Sequence, residues 1–226
     1  MVDRYAVMGN PIAHSKSPQI HTLFARQTGH SLSYEAILVK PGGFAAAVAD
    51  FLRAGGKGLN ITVPFKEEAW KLATTRSARA ERAGAVNTLV LDDTGKHYGD
   101  NTDGAGLVRD LRQNHAMTLA GKRLLLVGAG GAARGVIEPL LGEKPALLVI
   151  ANRTADKAVQ LARLFCELGH TEGCGLDALT GQGFDVIINA TAASLSGEVP
   201  ALPDSVVTTT SACYDMMYGN RPTAFM

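Results

Sequence analysis

The sequence predicts an α/β protein of two domains with largely parallel sheets. Its 226 residues are enough to bury a sizeable core and exceed the size of most single small domains. Apolar runs of strand length alternate with stretches of helical periodicity from end to end, as in βαβ units. One buried run, residues 124–127, passes directly into a glycine-rich turn and a helical stretch, which is typical of the centre of a parallel sheet.

The composition excludes several classes of protein. The formal net charge of +1 gives no reason to expect a nucleic-acid partner. The apolar runs are shorter than the roughly 18 residues of a membrane span, and the N-terminus lacks the apolar core of a signal peptide. Cys166, Cys174 and Cys213 have neither zinc-ligand nor C-x-x-C spacing. We therefore expect free thiols in a reducing cytoplasm, no metal and no membrane partner.

The first half predicts three strand–helix repeats followed by a hairpin. Gly55 and Gly56 end the second helix, and Pro64 is a favourable first residue for the third. Two short strands, 85–91 and 96–99, flank the turn sequence 92–95 and predict an antiparallel pair. The other strands are predicted at 5–9, 32–39 and 58–63, and the helices at 17–28, 44–54 and 65–73.

The second half begins with a predicted helix at 103–113 that connects the domains. Strands are then predicted at 124–127, 146–151, 185–190 and 208–214, with helices at 131–141 and 155–168. We divide the chain into a first domain, 1–103, a connecting helix and linker, 104–120, and a second domain, 121–226. A ligand is expected where the domains face each other, at the carboxyl ends of the strands.

The glycine-rich turn has the spacing of a dinucleotide-binding fingerprint. Gly128, Gly130 and Ala133 follow the G-x-G-x-x-A pattern. Gly128 would allow the tight turn, and Gly130 would let the backbone approach a pyrophosphate. The free N–H groups of the following helix would bind the phosphates. We therefore expect a Rossmann-type domain whose cofactor contacts include Gly128, Ala129, Gly130, Gly131 and Ala132.

The segment after the next predicted strand indicates NADP rather than NAD. Asn152 and Arg153 stand where an acidic residue would hold the ribose 2′-hydroxyl. An acid would repel a 2′-phosphate, whereas an arginine binds it with a planar fork of donors. Thr154 and Lys157 could add a hydroxyl and a second positive charge. The alternative interpretation is a surface loop with ordinary basic residues.

Three polar clusters in the first half are candidates for chemistry. Ser15 and Ser17 lie at a helix start, which favours an anion such as a carboxylate, although one serine could simply cap the helix. Asn87 and Asp103 form another cluster along the chain, and Asp103 could be only a helix cap.

The remaining cluster combines a polar strand end with a lysine. Asn60 and Thr62 alternate with apolar residues and therefore face the same side of one strand. Lys66 follows in the first helical turn, where negative groups are preferred. This mild misfit beside a polar strand end indicates a function.

Eight motifs in register make the chain resemble the shikimate dehydrogenase family. The motifs are GNPIAHSKSP, LNITVPFK, AGAVNT, DNTDG, VGAGGAAR, ANRT, INAT and YDMMY. The resemblance implies that residues 1–103 form a substrate-binding catalytic domain and residues 121–226 a Rossmann-type NADP-binding domain. The implied reaction is the reversible NADPH-dependent reduction of 3-dehydroshikimate to shikimate in aromatic amino-acid biosynthesis.

The resemblance also implies a role for each cluster. Lys66 would be the proton donor and acceptor at the reacting oxygen, paired with Asp103. Thr191 and Met216 would contact the cofactor, although core packing is an equal interpretation of Met216. The substrate carboxylate would meet Ser15 and Ser17, with Tyr218 nearby, and the ring hydroxyls would meet Asn60, Thr62, Asn87 and Asp103.

Two alternatives and one departure accompany this resemblance. A quinate/shikimate dehydrogenase is one alternative, against which Arg153 argues, and a non-catalytic NADP-binding module is the other. Family members continue beyond the position of Met226 with a helical segment that contributes a glutamine to the site. We therefore expect a fragment, a truncated gene product or an engineered chain that binds NADP, turns over poorly and associates through uncovered apolar surface. Apart from such association, the expected oligomeric state is a monomer or homodimer.

Overall fold

The computed structural model describes residues 2–92, 94–219 and 221–226, and the chain divides into two compact units. The first unit spans residues 1–102 and the second residues 103–226. The segment predicted to connect the domains, 104–120, clusters with the second unit. Its helix packs there so closely that a Cβ atom at Gly104 would lie 2.4 Å from the carbonyl oxygen of Gly135.

The first unit is built on a six-stranded mixed sheet. Its strands are β1 (Asp3–Gly9), β2 (Leu32–Leu38), β3 (Gly56–Ile61), β4 (Thr75–Arg76), β5 (Thr88–Val90) and β6 (Tyr98–Asp100). Its helices are α1 (Ser17–Thr28), α2 (Phe44–Arg53), α3 (Lys66–Leu72) and α4 (Ala78–Ala83). The strand order is β2-β1-β3-β5-β6-β4, with parallel pairing except at β3–β5 and β5–β6.

The core of the first unit lies between α2, α3 and the sheet. Phe44 and Phe65 stack with ring centroids 5.3 Å apart and are fully buried. The predicted hairpin is confirmed by the antiparallel β5–β6 pair, although Asp93 of its turn lies outside the described residues. Pro64 was predicted to be the first helical residue, but it lies before the helix. The N–H of Phe65 donates to the carbonyl of Thr62 (3.0 Å), which closes a turn around Pro64, and α3 begins at Lys66.

The second unit has a five-stranded parallel sheet. Its strands are β7 (Arg123–Val127), β8 (Leu147–Asn152), β9 (Thr171–Gly175), β10 (Phe184–Asn189) and β11 (Val207–Asp215). Its helices are α5 (Asp103–Arg109), continued by a π-helical turn (Asp110–Asn114), α6 (Gly131–Gly142) and α7 (Ala155–Phe165). The order is β11-β10-β7-β8-β9, and all four pairs are parallel.

The strand order of the second unit fixes where a ligand can bind. The chain runs outward from β7 through β8 to β9 and then returns to β10 on the other side of β7. The connections after β7 and β10 therefore leave the sheet in opposite directions. In open α/β sheets, such a switch point at the carboxyl edge is the usual ligand crevice.

Candidate functional site

The predicted cofactor residues lie in a row along the carboxyl edge of the second sheet. Met216 follows β11, Thr191 follows β10, Gly128 follows β7 and Arg153 follows β8. Because neighbouring strands are about 4.8 Å apart, these four positions extend over about 14 Å. The glycine turn stands in the middle of the row, with the basic segment at one end and Met216 at the other.

The glycine turn leaves accessible backbone at the start of α6. Gly128 has a φ of 116°, and a Cβ atom there would lie 3.2 Å from the backbone carbon and oxygen of Ala190. A Cβ atom at Gly130 would meet no atom within 4 Å, so space is open beside this backbone. Gly130 precedes α6, and no side chain among the described residues caps that helix start. Its first N–H groups therefore remain for an anion.

The basic segment after β8 is exposed and locally ordered. The side-chain amide of Asn152 donates to the carbonyl of Thr154 (3.0 Å), which folds the segment into a short turn. Arg153, Thr154 and Lys157 are exposed, and Arg153 forms no ion pair with any residue that the structure describes. An arginine held this way is available to a phosphate, so the residues present fit NADP.

The other predicted residues of the second unit are placed as follows. Asp103 is the first residue of α5 itself, whereas the helix-cap interpretation placed it before the helix. Met216 packs against the hydrophobic core of the unit and is half-buried, so part of its side chain remains accessible. Thr191 lies beside the glycine turn, with its Cγ2 3.3 Å from a Cβ built on Gly128. Tyr218 is 52% exposed and lines a cavity of about 610 Å³ with Asp110.

In the first unit, the segment from β1 into α1 that carries Ser15 and Ser17, the serine loop, lies against the end of β3. A Cβ atom on Gly9 would lie 2.3 Å from the Cγ2 of Thr62, so only glycine lets the two segments pass. The N–H of Asn10 donates to the carbonyl of Val63 (2.8 Å), and the N–H of Thr62 donates to that of Met8 (3.0 Å). The loop that follows β1 is therefore fixed beside the polar strand end.

Tyr34 links the serine loop to Asn60, a connection that the sequence did not predict. The phenol of Tyr34 donates to Oδ1 of Asn60 (2.6 Å) and is also hydrogen-bonded to the Ser17 hydroxyl. The hydroxyl of Ser15 accepts the N–H of Ser17 (3.3 Å), so one serine does contribute to the helix start. Burial raises the pKa of Tyr34, which therefore stays a neutral donor. Tyr34 belongs to none of the motifs, and its only signal is a polar aromatic within a strand.

His21 completes this group from α1. Its ring stacks on that of Tyr34 with centroids 4.3 Å apart and an interplanar angle of 5°. Burial lowers the pKa of His21, while its hydrogen bond to Asn60 acts in the opposite direction. The stacked His21 ring thus holds Tyr34 in place, and Tyr34 in turn orients the side-chain amide of Asn60.

Asn87 is held by the segment that leads to Asp103. Its Oδ1 accepts the N–H of Thr102 (3.0 Å), and its Nδ2 donates to the hydroxyl of the same residue (2.9 Å). The backbone N–H of Ile61 donates to the carbonyl of Asn87 (2.7 Å), and that of Val86 donates to the carbonyl of Lys66 (2.9 Å). The first unit therefore brings the Asn60, Lys66 and Asn87 segments together, with Lys66 half-buried at the start of α3.

Asp100 anchors the same segment. Its carboxylate accepts bonds from the hydroxyl of Ser77 (2.5 Å), from both Nε (2.7 Å) and Nη2 of Arg79, and from the N–H of Asn101 (2.8 Å). The Arg79 guanidinium, with the smaller contributions of Ser77 and Asn101, lowers the pKa of Asp100 to about 2. The charged carboxylate is therefore favoured in the folded chain.

We expect Asp100→Asn to destabilise the first unit most at neutral pH. The folded pKa lies below the unfolded value of 3.8, so this stabilisation is present above that value and is lost as pH falls towards 2. Because Arg79 is 41% exposed, we expect a loss of about 1–2 kcal/mol. Urea unfolding at neutral and at acidic pH measures it, with Asp50→Asn in the exposed Asp50–Arg53 pair as control. An equal loss at both pH values would contradict the expectation.

Two further classes of site are absent from the described residues. No group of three or more histidine, cysteine, aspartate or glutamate side chains comes together there as metal ligands. In the same part of the chain, every helix is too short or too polar to cross a lipid bilayer.

Comparisons with known proteins agree over the whole chain. The family described as shikimate dehydrogenase substrate binding domain matches residues 7–89, and that described as shikimate / quinate 5-dehydrogenase matches residues 110–197. A protein of Alkalilimnicola ehrlichii named shikimate dehydrogenase (NADP(+)) is 57% identical over 100% of this chain and 83% of its own length.

Solved structures give the same result. An Ael1 enzyme from Pseudomonas putida is 46% identical, with a TM-score of 0.86 over 99% of this chain and 82% of that one. A shikimate 5-dehydrogenase from Thermus thermophilus, solved in complex with NADP(H) and shikimate, is 30% identical, with a TM-score of 0.84 over 100% of this chain and 82% of that one.

Proposed function

The chain belongs to the shikimate dehydrogenase family, and we propose that it uses Lys66 and Asp103 as the acid–base pair of that reaction. It is an NADP-dependent oxidoreductase of the shikimate pathway, and its reaction is the reversible reduction of 3-dehydroshikimate to shikimate. The observation that carries this conclusion is the 57% identity to a shikimate dehydrogenase (NADP(+)) along the entire chain.

We propose that the row of residues on the second sheet binds the cofactor. NADPH, when bound, supplies the hydride. The N–H groups at the start of α6 would hold the pyrophosphate, together with Gly128, Ala129, Gly130, Gly131 and Ala132. Arg153, supported by Asn152, Thr154 and Lys157, would hold the 2′-phosphate. Thr191 and Met216 would lie at the nicotinamide end, because they follow the strands on the other side of the glycine turn.

We propose that the polar cluster of the first unit binds the substrate, with Tyr218 contributed by the second. Ser15 and Ser17 would hold the carboxylate at the start of α1, where the helix dipole favours an anion. Asn60, Thr62 and Asn87 would hold the ring hydroxyls. Tyr34 supports this set, because its bond to Oδ1 fixes the Asn60 amide, whose Nδ2 donates to the carbonyl of Asn87 (3.4 Å) and to the hydroxyl of Thr88 (3.3 Å).

The proton step is assigned to Lys66. Reduction of the carbonyl leaves negative charge on its oxygen, and a lysine ammonium can neutralise that oxygen by proton transfer. Asp103 would orient the ammonium and a substrate hydroxyl. In the oxidation direction, the neutral amine would accept the proton from the shikimate hydroxyl.

The test of this function is NADP⁺ reduction by shikimate, followed by the absorbance of NADPH. The same assay with quinate separates a shikimate dehydrogenase from a quinate/shikimate dehydrogenase. Turnover with shikimate above that with quinate is expected. NADP binding without turnover of either substrate would instead support a non-catalytic binding module.

We expect the chain to prefer NADP(H) over NAD(H) through Arg153. A charge-assisted hydrogen bond contributes about 1.5–3 kcal/mol, or roughly 10- to 150-fold in affinity. Arg153→Ala should therefore remove most of the preference, measured by titration of both cofactors. Arg163→Ala, in the last turn of α7, is the matched control. Equal binding of both cofactors by the unmodified chain would contradict this assignment.

A cytoplasmic location is also proposed, on the observation that Cys166, Cys174 and Cys213 are all free thiols. For the oligomeric state we propose a monomer or homodimer, which sedimentation distinguishes.

A further inference from the structure

Asp215, the last residue of β11, has a carboxylate whose acceptor sites are all in use. Its Oδ1 accepts from Nδ2 of Asn189 (3.2 Å) and from the N–H of Met217 (2.9 Å). Its Oδ2 accepts from the hydroxyls of Ser194 (2.6 Å) and Thr223 (2.6 Å). Two carboxylate oxygens offer about four lone-pair positions. Asp215 therefore has no acceptor left for a ligand, and it acts on its neighbours instead.

Asn189 is paired with Asp215 in the sheet and is equally saturated. It is the last residue of β10, is 0% exposed, and lies directly opposite Asp215 in the β10–β11 register. Its Oδ1 accepts the N–H (3.1 Å) and the hydroxyl (2.7 Å) of Thr191, while its Nδ2 donates to Ser194 (3.3 Å) as well as to Asp215. Its carbonyl accepts the N–H of Met216 (2.9 Å).

The Asn189–Asp215 pair therefore joins two loops that leave different strands. The loop after β10 carries Thr191, whose hydroxyl also accepts the N–H of Ala193 (3.3 Å). The loop after β11 carries Met216. Both loops are bonded to the pair: Asn189 binds Thr191 through its Oδ1 and Met216 through its carbonyl, while Asp215 accepts from Ser194 of the first loop and Met217 of the second. A partly buried polar network in which Asn189 and Asp215 have all their acceptors satisfied favours one arrangement of its members.

We propose that Asp215 is a positioning residue, which acts through Asn189 and Ser194 to hold Thr191 and Met216 for the nicotinamide half of the cofactor. The inference rests on the proposed function only in placing that half at Thr191 and Met216. The pair does not contact the segment at Arg153, which follows β8, two strands from β10. Loss of the pair should therefore affect one half of the cofactor and leave the other unchanged.

Calorimetric titration of two ligands tests this directly. NADP⁺ engages both halves of the site, whereas adenosine 2′,5′-bisphosphate engages only the half at Arg153. For Asp215→Asn, we expect NADP⁺ to bind about 3- to 10-fold more weakly, the factor that one hydrogen bond typically carries. The affinity for adenosine 2′,5′-bisphosphate should not change. Arg153→Ala should weaken both ligands.

Matched variants separate positioning from general stability. Asp185→Asn removes a carboxylate at the amino end of β10 that accepts the N–H of Arg123 (2.8 Å), so it should change neither affinity. Ser194→Ala removes one donor to Asp215 and should give a smaller loss on NADP⁺ alone, and Ser194→Thr, which keeps the hydroxyl, should restore binding. If Asp215→Asn does not fold, the Ser194→Ala and Ser194→Thr variants still test the proposal.

Two results would overturn the proposal. One is an unchanged affinity for both ligands in both Asp215→Asn and Ser194→Ala. The other is an equal loss on both ligands, which a purely structural role would give. Neither titration requires turnover, so a failure of the unmodified chain to oxidise shikimate would overturn the proposed function and leave this result standing.

Discussion

Lys66→Ala is expected to lower turnover of shikimate by about 10²- to 10⁴-fold, the range that a positioned acid–base group contributes. In this direction the shikimate hydroxyl would then have to lose its proton to water. Affinity for NADP⁺ should stay within about twofold, because Lys66 lies in the first unit and the cofactor residues lie in the second. The loss is relative to the unmodified chain of the same length, and steady-state rates at saturating shikimate measure it.

Lys71→Ala is the matched control for this variant. Lys71 lies in the last turn of the same helix and is exposed, so its removal should leave turnover unchanged. Retention of normal turnover by Lys66→Ala at saturating substrate would show that Lys66 only binds or stabilises. The same loss in both variants would point to damage to α3 rather than to a missing proton donor.

Gly104→Ala is expected to destabilise the second unit by about 1–3 kcal/mol, the usual cost of overpacking, or somewhat more. The added Cβ would lie 2.4 Å from the carbonyl oxygen of Gly135 and 2.5 Å from Cγ of Pro139. Both atoms belong to α6, so one helix must move away from the other. Asp103 begins the helix that moves, and turnover should fall as well. Urea unfolding gives the free energy.

Gly106→Ala gives the opposite expectation in the same helix. A Cβ atom there would meet nothing within 4 Å, and alanine is favoured over glycine in a helix interior by up to about 1 kcal/mol. The two variants add the same methyl group two residues apart, so they separate contact from helix propensity. A stabilising effect of Gly104→Ala would mean that α5 and α6 are not in this close contact.

Periodicity was sufficient to predict the longer elements of the fold. The helix Ser17–Thr28 was predicted with its observed bounds, and β7, β8 and β10 each contain a buried apolar run, as expected of strands covered on both faces. β9 was missed because its sequence, TEGCG, lacks apolar alternation. Position 173 of β9 requires glycine, because a Cβ atom there would lie 2.4 Å from the carbonyl oxygen of Ala158 in α7. No local sequence pattern encodes this contact.

The short elements show a different limit. β4 has only two residues, too few for any period. α4 was missed although Ser77 accepts the N–H of Ala80 (3.1 Å) at its start and Gly84, with a φ of 62°, ends it. These capping signals were present in the sequence, but the six-residue helix between them lacks a wide apolar face.

The residues of the candidate site that belong to sequence motifs could be predicted, whereas a residue that contacts the site from a neighbouring strand could not. Ser17 and Asn60 both belong to motifs whose spacing predicts a role in the site. Tyr34, which joins them, lies on β2, and only the parallel pairing of β1 with β2 and β3 brings it near. For the same reason, the bond between Asn189 and Asp215 could not be read from the sequence, because the register of β10 and β11 creates it.

The row of proposed cofactor residues on separate strands has a consequence for how coenzyme use can evolve. Arg153 follows β8, whereas the Asn189–Asp215 pair ends β10 and β11, about 10 Å or more away across β7. Substitutions at such separations combine almost independently in free energy. A lineage could therefore exchange one coenzyme for another through a few changes after β8 without passing through ancestors impaired in hydride transfer.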